Sequence, residues 1–289
     1  MQTTQRIERA LQNALQGNAP PGCPPTLSRA LRHAVIPGGA RIRPKLCLSV
    51  AQSLGDPYPA RADAAAAAIE LLHCASLVHD DLPCFDDAAQ RRGRPSVHRA
   101  FGEPVAVLAG DALIVLAFET VARGAADAPG SLARLVLLLT AAVGVPNGLC
   151  AGQGWEQEPH PDLGRYHRAK TGALFAAATA AGAEAAGRDG NSWRRLGECI
   201  GEAYQVADDL KDVICGADEL GKPAGQDTAL GRPNAALELG ARPALGRLRC
   251  LVEEALSAVP DGPGADALRR HILAETERLV PVRLASQVA

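Results

Sequence analysis

Residues 70–87 read ELLHCASLVHDDLPCFDD, a stretch whose apolar period is that of a helix and whose end is a run of acids. Ile69, Leu72, His73, Ser76 and Asp80 recur at the three- and four-residue spacing of one helix face, which stacks His73 and Ser76 beneath Asp80. Pro83 cannot continue a regular helix, so the chain turns there and Asp86 comes back toward Asp80 and Asp81. A second stretch, GEAYQVADDLKD at 201–212, repeats the theme: Gly201, Gln205, Asp208 and Asp212 share a face, with Asp208 and Asp212 one turn apart. Carboxylates crowded beside apolar surface repel one another and lose hydration, so they stay ionised only where cations or donors compensate them. Magnesium prefers oxygen ligands, keeps several waters and is held by one or two carboxylates together with substrate phosphates. Two facing helices that carry Asp80, Asp81 and Asp86 on one side and Asp208, Asp209 and Asp212 on the other therefore imply a metal-bridged diphosphate site.

Outward from these stretches the same periodicity predicts helices near 5–16, 26–35, 40–54, 60–81, 104–126, 131–144, 164–186, 192–215, 233–258 and 265–280. The breakers between them, GDPYP (55–59), DAPGS (127–131), VPNG (145–148), EPHPD (158–162), GRDGN (187–191) and VPDGPG (259–264), are too short to be linkers. They make residues 1–289 a single all-α domain. Hydrophobic residues are 47% of the chain but aromatics only 3%, so the core is built from Ala, Leu and Val, which suits close helix packing. Gly216 to Asn234 has no period and follows the second acidic cluster directly, so it is the expected flap over the site.

A formal charge of −2 and the absence of a basic run exclude a general nucleic-acid arm. The eight cysteines form no CxxC pair and no zinc spacing, which favours reduced intracellular thiols. MQTTQRIERA at the N-terminus lacks a charged-then-apolar signal pattern. The longest apolar stretches, such as Leu135 to Val145, fall short of the roughly 20 residues a bilayer requires, so no transmembrane segment and a cytoplasmic location are expected.

Taken singly these residues are bland. A lone DDxxD is an ordinary solvated helix end, His73 a hydrogen-bonded helix-face histidine, and Arg91, Arg92, Lys170 and Lys222 surface cations. Their order is specific: GGARIRP (38–44), the 70–87 stretch, RRGRPSVH (91–98), LAGDAL (108–113), AGQ (151–153), HRAKTGALF (167–175), the 201–212 stretch and GKPAGQD (221–227). With these blocks in this order the chain resembles the trans-isoprenyl diphosphate synthase family, most closely its bacterial geranylgeranyl diphosphate synthases of carotenoid and photosynthetic-pigment synthesis.

The resemblance implies an isoprenoid synthase-type helical bundle around a deep central cavity, commonly in a homodimer, that condenses isopentenyl diphosphate with an allylic diphosphate. It implies Mg²⁺, or Mn²⁺, on Asp80, Asp81 and Asp86 and on Asp208 and Asp209 with Asp212 beside them, three ions in all once diphosphate is bound. Arg91, Lys170 and Lys222 match residues that grip the allylic diphosphate. Arg43, His73 and Arg92 match residues that bind isopentenyl diphosphate. Thr171 and Gln205, with Lys170, match groups beside the developing allylic cation. The chain departs from the family at Ala40, where a lysine is usual, while Glu156 and Arg232 keep the charge of the usual Asp and Lys.

Ala75 and Ser76, five and four residues before Asp80, are both small and sit roughly 6–7.5 Å beneath the acid at 1.5 Å per helical residue. An aromatic there would close the cavity, so a C20 product is favoured over C15. The nearest alternative is a farnesyl diphosphate synthase. A terpene cyclase would carry an Asn/Ser/Glu metal motif in place of the second DDxxD. A non-catalytic regulatory subunit of a heteromeric prenyltransferase is favoured by Ala40 and opposed by Asp80, Asp86, Asp208 and Arg91. Asp111 is expected to be an ion-pair partner, and His79 and His98 have no assigned role.

Overall fold

The computed structural model describes residues 2–17, 23–160, 162–214, 236 and 240–277. Cα proximity divides the chain into two compact units, one of Met1–Thr140 with Ala180–Gly190 and one of Ala141–Thr179 with Asn191–Ala289.

The first unit holds α1 (Gln2–Gly17), α2 (Pro25–Val35), α3 (Ile42–Ser53), α4 (Pro59–Asp80), a hairpin of β1 (Gln90–Arg91) and β2 (Arg94–Pro95), α5 (Val97–Phe101), α6 (Glu103–Gly124) and most of α7 (Pro129–Val143). Its axis is α4, which packs on α1, α2, α3 and above all α6. The alanine run from Ala64 to Ala68 makes this closeness possible, since side chains that end at Cβ let a neighbouring backbone approach. Gly124 shows how close it comes: a Cβ there would lie 2.2 Å from that of Ala64. Pro59 at the first turn of α4 donates no hydrogen bond that the helix needs, and the helix ends at Asp80 three residues before Pro83.

The second unit holds α8 (Leu149–Trp155), α9 (Leu163–His167), a π-helical turn (Arg168–Gly172), most of α10 (Ala173–Ala185), α11 (Asn191–Ile214), α12 (Ala241–Ser257) and α13 (Ala265–Glu277). Here α11 is central. One face packs on α12 through Ala203, Val206, Ala207, Leu210, Leu245, Leu248 and Leu251. It also packs on the π-turn, reached through glycines: a Cβ on Gly201 would lie 3.0 Å from the Gly172 Cα.

Several expectations need amendment. The helix predicted over 164–186 contains a π-turn at RAKTG, and the one predicted over 104–126 is preceded by the short α5 across Gly102, whose φ of 87° no helix tolerates. Helix α12 starts at Ala241 after Gly240, also at positive φ, and α8 and the hairpin were not anticipated. The expected flap, Gly216 to Asn234, lies outside the described residues, as does Cys215; the seven described cysteines form no disulfide. Contrary to the sequence reading, one helix among the described residues, α6, is long and apolar enough to cross a membrane. Its inward face, Ala106, Ala109, Gly110, Leu113, Leu116, Ala117 and Val121, is buried in the first unit, and Asp111 interrupts its middle with a carboxylate 3.6 Å from His79. A helix built for core packing passes a test of length and hydropathy as readily as a membrane span does.

Candidate active site

The first acidic cluster is shaped by the way α4 ends. Asp81 caps the helix, and the chain then folds back: the Asp86 N–H donates to the Asp80 carbonyl at 2.9 Å, Asp87 to that of Leu82 at 3.0 Å and Ala88 to that of Asp81 at 3.2 Å. The sharp return puts Asp87 at a φ of 43°. The turn expected at Pro83 is therefore present, with Asp80 and Asp81 buried and Asp86 exposed. Arg91 reaches Asp81 with two donors, Nε at 3.0 Å and Nη2 at 2.5 Å from Oδ1. This side-on approach is the geometry in which a guanidinium binds a carboxylate or phosphate most firmly. Burial raises the Asp81 pKa, Arg91 opposes the rise and Asp86 adds to it.

The hairpin aims the arginines. Arg91 and Arg94 face each other in register, joined by Arg92 at a φ of 54° and Gly93 at 72°. Positive φ at both turn positions is the type I′ geometry that matches strand twist, which gives the RRG sequence a backbone reason. Beyond the hairpin, His98 Nδ1 lies 3.1 Å from Ser96 Oγ and its Nε2 3.5 Å from Asp87. Arg99 donates to the same Asp87 carboxylate at 2.9 Å, so this acid serves the loop.

The residues expected to take a second diphosphate lie in the same unit: Arg43 in the first turn of α3, His73 on α4 and Arg92 at the hairpin turn. Burial, then the positive field of Arg43, Arg92, Arg91 and Arg41, pushes the His73 pKa well down, so it is a neutral imidazole at pH 7. Ala40 is exposed and supplies no charge. Ala75 and Ser76 are buried, and the Ser76 hydroxyl donates back to the His73 carbonyl at 2.8 Å, which uses its polarity within the helix.

In the second unit the π-turn carries the KTG sequence. Lys170 Nζ donates to Glu156 at 2.5 Å, and the Tyr166 hydroxyl donates to the same oxygen at 2.6 Å. The ammonium also lies 5.6 Å from the Tyr166 ring centroid. Thr171 Oγ1 donates to Gln205 Oε1 at 2.9 Å, and Gln205 Nε2 donates to Asp209 at 2.8 Å. Gln205 thus uses both ends of its amide to tie the π-turn to the buried second acid of α11. Asp208 is partly exposed beside it; the Asp212 side chain and Lys222 lie outside the described residues. Glycine explains the AGQ sequence: a Cβ on Gly152 would lie 2.4 Å from the Lys170 nitrogen, so α8 touches the π-turn backbone.

The donor set suits a hard divalent cation. It is all carboxylate oxygen, and Asp81 is desolvated and only partly compensated by Arg91. Among the described residues no three acidic, imidazole or thiol groups already converge into a closed cage. An open arrangement of this kind leaves coordination positions for waters and phosphate oxygens, which magnesium retains and a closed structural site would exclude.

Two contributors escaped the sequence reading. Tyr166 precedes Lys170 by one helical turn, and Glu70 precedes His73 by three residues on α4; both were legible only as helix-face neighbours of residues already chosen.

Comparison with known proteins is consistent across three independent measures. Residues 24–256 match the polyprenyl synthetase family. The chain is 54% identical over 284 residues, 98% of its length and 99% of the relative's, to a geranylgeranyl diphosphate synthase of Cereibacter sphaeroides. It is 48% identical, covering 98% of both chains, to a geranylgeranyl diphosphate synthase of Rhodobacter capsulatus. Its fold is similar to a geranyltransferase from Helicobacter pylori solved with magnesium and isoprenyl diphosphate, with a TM-score of 0.81 at 29% identity over 96% of each chain.

Proposed function

Because the chain belongs to the polyprenyl synthetase family, we propose that it condenses isopentenyl diphosphate with an allylic diphosphate, farnesyl diphosphate being the last primer, to release geranylgeranyl diphosphate and diphosphate. The observation that carries the reading is the buried Asp80–Asp81 pair with Arg91 bonded side-on to Asp81, acids and guanidinium gathered where α4 ends. Full-length identity of 54% to a geranylgeranyl diphosphate synthase supports the C20 endpoint, as do the small Ala75 and Ser76.

In this reading Asp80, Asp81 and Asp86, and Asp208, Asp209 and Asp212, would hold Mg²⁺, three ions with diphosphate bound and replaceable by Mn²⁺. Bound magnesium supplies charge neutralisation for the departing diphosphate. Arg91 and Lys170 grip the allylic diphosphate and, with Lys222, take up the negative charge that grows as the C–O bond breaks. Lys170 leaves Glu156 for that contact, and Tyr166 keeps Glu156 in place meanwhile. Thr171 and Gln205, already tied to each other and to Asp209, present fixed dipoles to the allylic cation, where a rigid group stabilises charge without reorganising. Arg43, Arg92 and neutral His73 hold isopentenyl diphosphate so that its double bond meets the cation, and a proton passes to the released diphosphate. The enzyme acts in the cytoplasm as a homodimer, for which the outer face of α6, with Val107, Leu108 and Val115 exposed around Asp111, offers a mostly apolar surface.

The test is incubation with labelled isopentenyl diphosphate and farnesyl diphosphate, with and without chelator. A labelled C20 diphosphate that disappears with chelator is expected. No elongated product from the folded chain would refute the reading, and a C15 endpoint from shorter primers would refute its chain-length part.

A further inference from the structure

We propose that Glu70 is the positioning residue that aims Arg92 at the homoallylic diphosphate, and that Arg41 is the buried cation that fixes Glu70; the proposal rests on the condensation reading above. Glu70 lies on α4 three residues before His73, with its side chain 3% exposed. One oxygen, Oε1, receives Arg41 Nη1 at 2.6 Å and lies 3.9 Å from Arg92 Nη2. A single buried acid therefore stands between two guanidinium groups.

The two arginines are not equivalent. Arg41 is 2% exposed at its side chain and its other two nitrogens are committed: Nε to Glu8 at 2.8 Å, and Nη2 to the Val35 carbonyl at 2.8 Å and to Glu8 at 3.4 Å. It is locked inside the unit and unable to replace the cation that Ala40 lacks. Arg92 sits at the hairpin turn with its side chain 24% exposed. Glu8 supplies Arg41 with a second counter-charge, so Glu70 is not consumed by Arg41 and its field reaches Arg92.

The adjacent glycines fit this division. A Cβ on Gly38 would fall 1.9 Å from Arg41 Cζ, and one on Gly39 would fall 3.0 Å from Arg92 Nε and 3.2 Å from its Cζ. GGARIRP is thus a bed for two guanidinium groups as well as the source of Arg43. Without the usual lysine, the geometry of Arg92 matters more here, because fewer cations share the diphosphate.

Steady-state kinetics of the full chain, with isopentenyl diphosphate varied at saturating farnesyl diphosphate and then the reverse, test the assignment. Glu70→Gln keeps the size and removes the charge. The expected result is a KM for isopentenyl diphosphate raised about tenfold, as loss of one well-placed charged contact implies. The KM for farnesyl diphosphate and kcat should stay where they are. Both KM values rising together, or neither changing, would overturn the proposal.

A double-mutant cycle separates aiming from scaffolding. In an Arg92→Gln background, Glu70→Gln should raise the KM no further; full additivity would place Glu70 in the fold alone and overturn its role. Gly39→Ala gives a route that survives if Glu70→Gln fails to fold, since the three atoms nearest its methyl are Nε, Cζ and Nη2 of Arg92, at 3.0–3.3 Å. The same selective rise is expected, and an unchanged KM would overturn the placement. A wild-type chain that condenses nothing would instead sink the underlying reading, and the proposal with it.

Discussion

Replacing Gly152 with alanine tests whether the contact between α8 and the π-turn is as tight as it looks. The new methyl would stand 2.4 Å from the Lys170 nitrogen and 2.5 Å from its Cα, about 1 Å inside ordinary van der Waals contact. Both are backbone atoms, so no side chain can swing aside. In an open helix the substitution would stabilise by roughly 0.5–1 kcal/mol, because glycine loses more backbone entropy on folding. Overpacking of a closed contact costs roughly 1–3 kcal/mol, so the net expectation is a loss of up to about 2.5 kcal/mol. The rate should fall further than the stability. Lys170 bonds Glu156 and its neighbour Thr171 bonds Gln205, so a shift of about 1 Å moves several site groups together, and misplacement on that scale costs on the order of 10²-fold.

Gly154, in the same helix and with nothing within 4 Å of its virtual Cβ, is the internal control: alanine there should stabilise by about 0.5–1 kcal/mol and leave the rate alone. Urea midpoints at constant m, with initial condensation rates, read both effects. Gly152→Ala proving as stable and as active as Gly154→Ala would refute the reasoning.

Ala75→Tyr or Ser76→Phe should shift products from C20 toward C15, read by chromatography of the dephosphorylated products; a folded variant with an unchanged distribution would remove both positions from chain-length control. His73 binds a proton less readily in the folded chain than its ordinary value of 6.5, so the unfolded chain takes up more protons on acidification and stability falls as pH drops through that value. His73→Gln should flatten thermal midpoints between pH 7 and 5.5, and an identical slope in the variant would place the effect elsewhere. Leu108→Glu or Val115→Glu, on the exposed face of α6, should halve the mass seen by light scattering, and an unchanged mass would move the subunit contact away from this face.

The fold was legible where periodicity and punctuation agreed. Helices α4 and α11 have three- and four-residue apolar spacing and a clear stop, and both were placed within a residue or two at each end. The 164–186 stretch is periodic throughout, but a π-turn inserts at RAKTG without changing which residues are apolar, so composition hid it. The hairpin escaped for a different reason. Its strands are two residues each and lie beneath any period; only Gly93 after two arginines hinted at a turn. α6 misled because a helix that packs on alanines is itself apolar almost all round.

The site shows the same split. Asp86 turns back toward Asp80 and Asp81 as its spacing suggests, because one helix end and one proline determine the path between them, while Arg91 reaches Asp81 from the hairpin. Glu70 and Arg41 are 29 residues apart, and nothing local marks either as a partner. Tyr166 is read as an aromatic on a helix face until its hydroxyl is seen on Glu156. The Glu70–Arg41 pairing depends on how α1, α3 and α4 pack, which no short window of sequence contains.

Helix α1 lies ahead of residue 24, where the family match begins, and yet it reaches inward. Its Arg6 bonds both Asp56 and Asp63, its Ile7 and Leu11 are buried, and its Glu8 neutralises Arg41. Shortening the amino end to the family boundary would spare every aspartate and lysine of the chemistry. It would also strand Arg41 on Glu70, draw that acid away from Arg92, and surface as weakened capture of the five-carbon substrate.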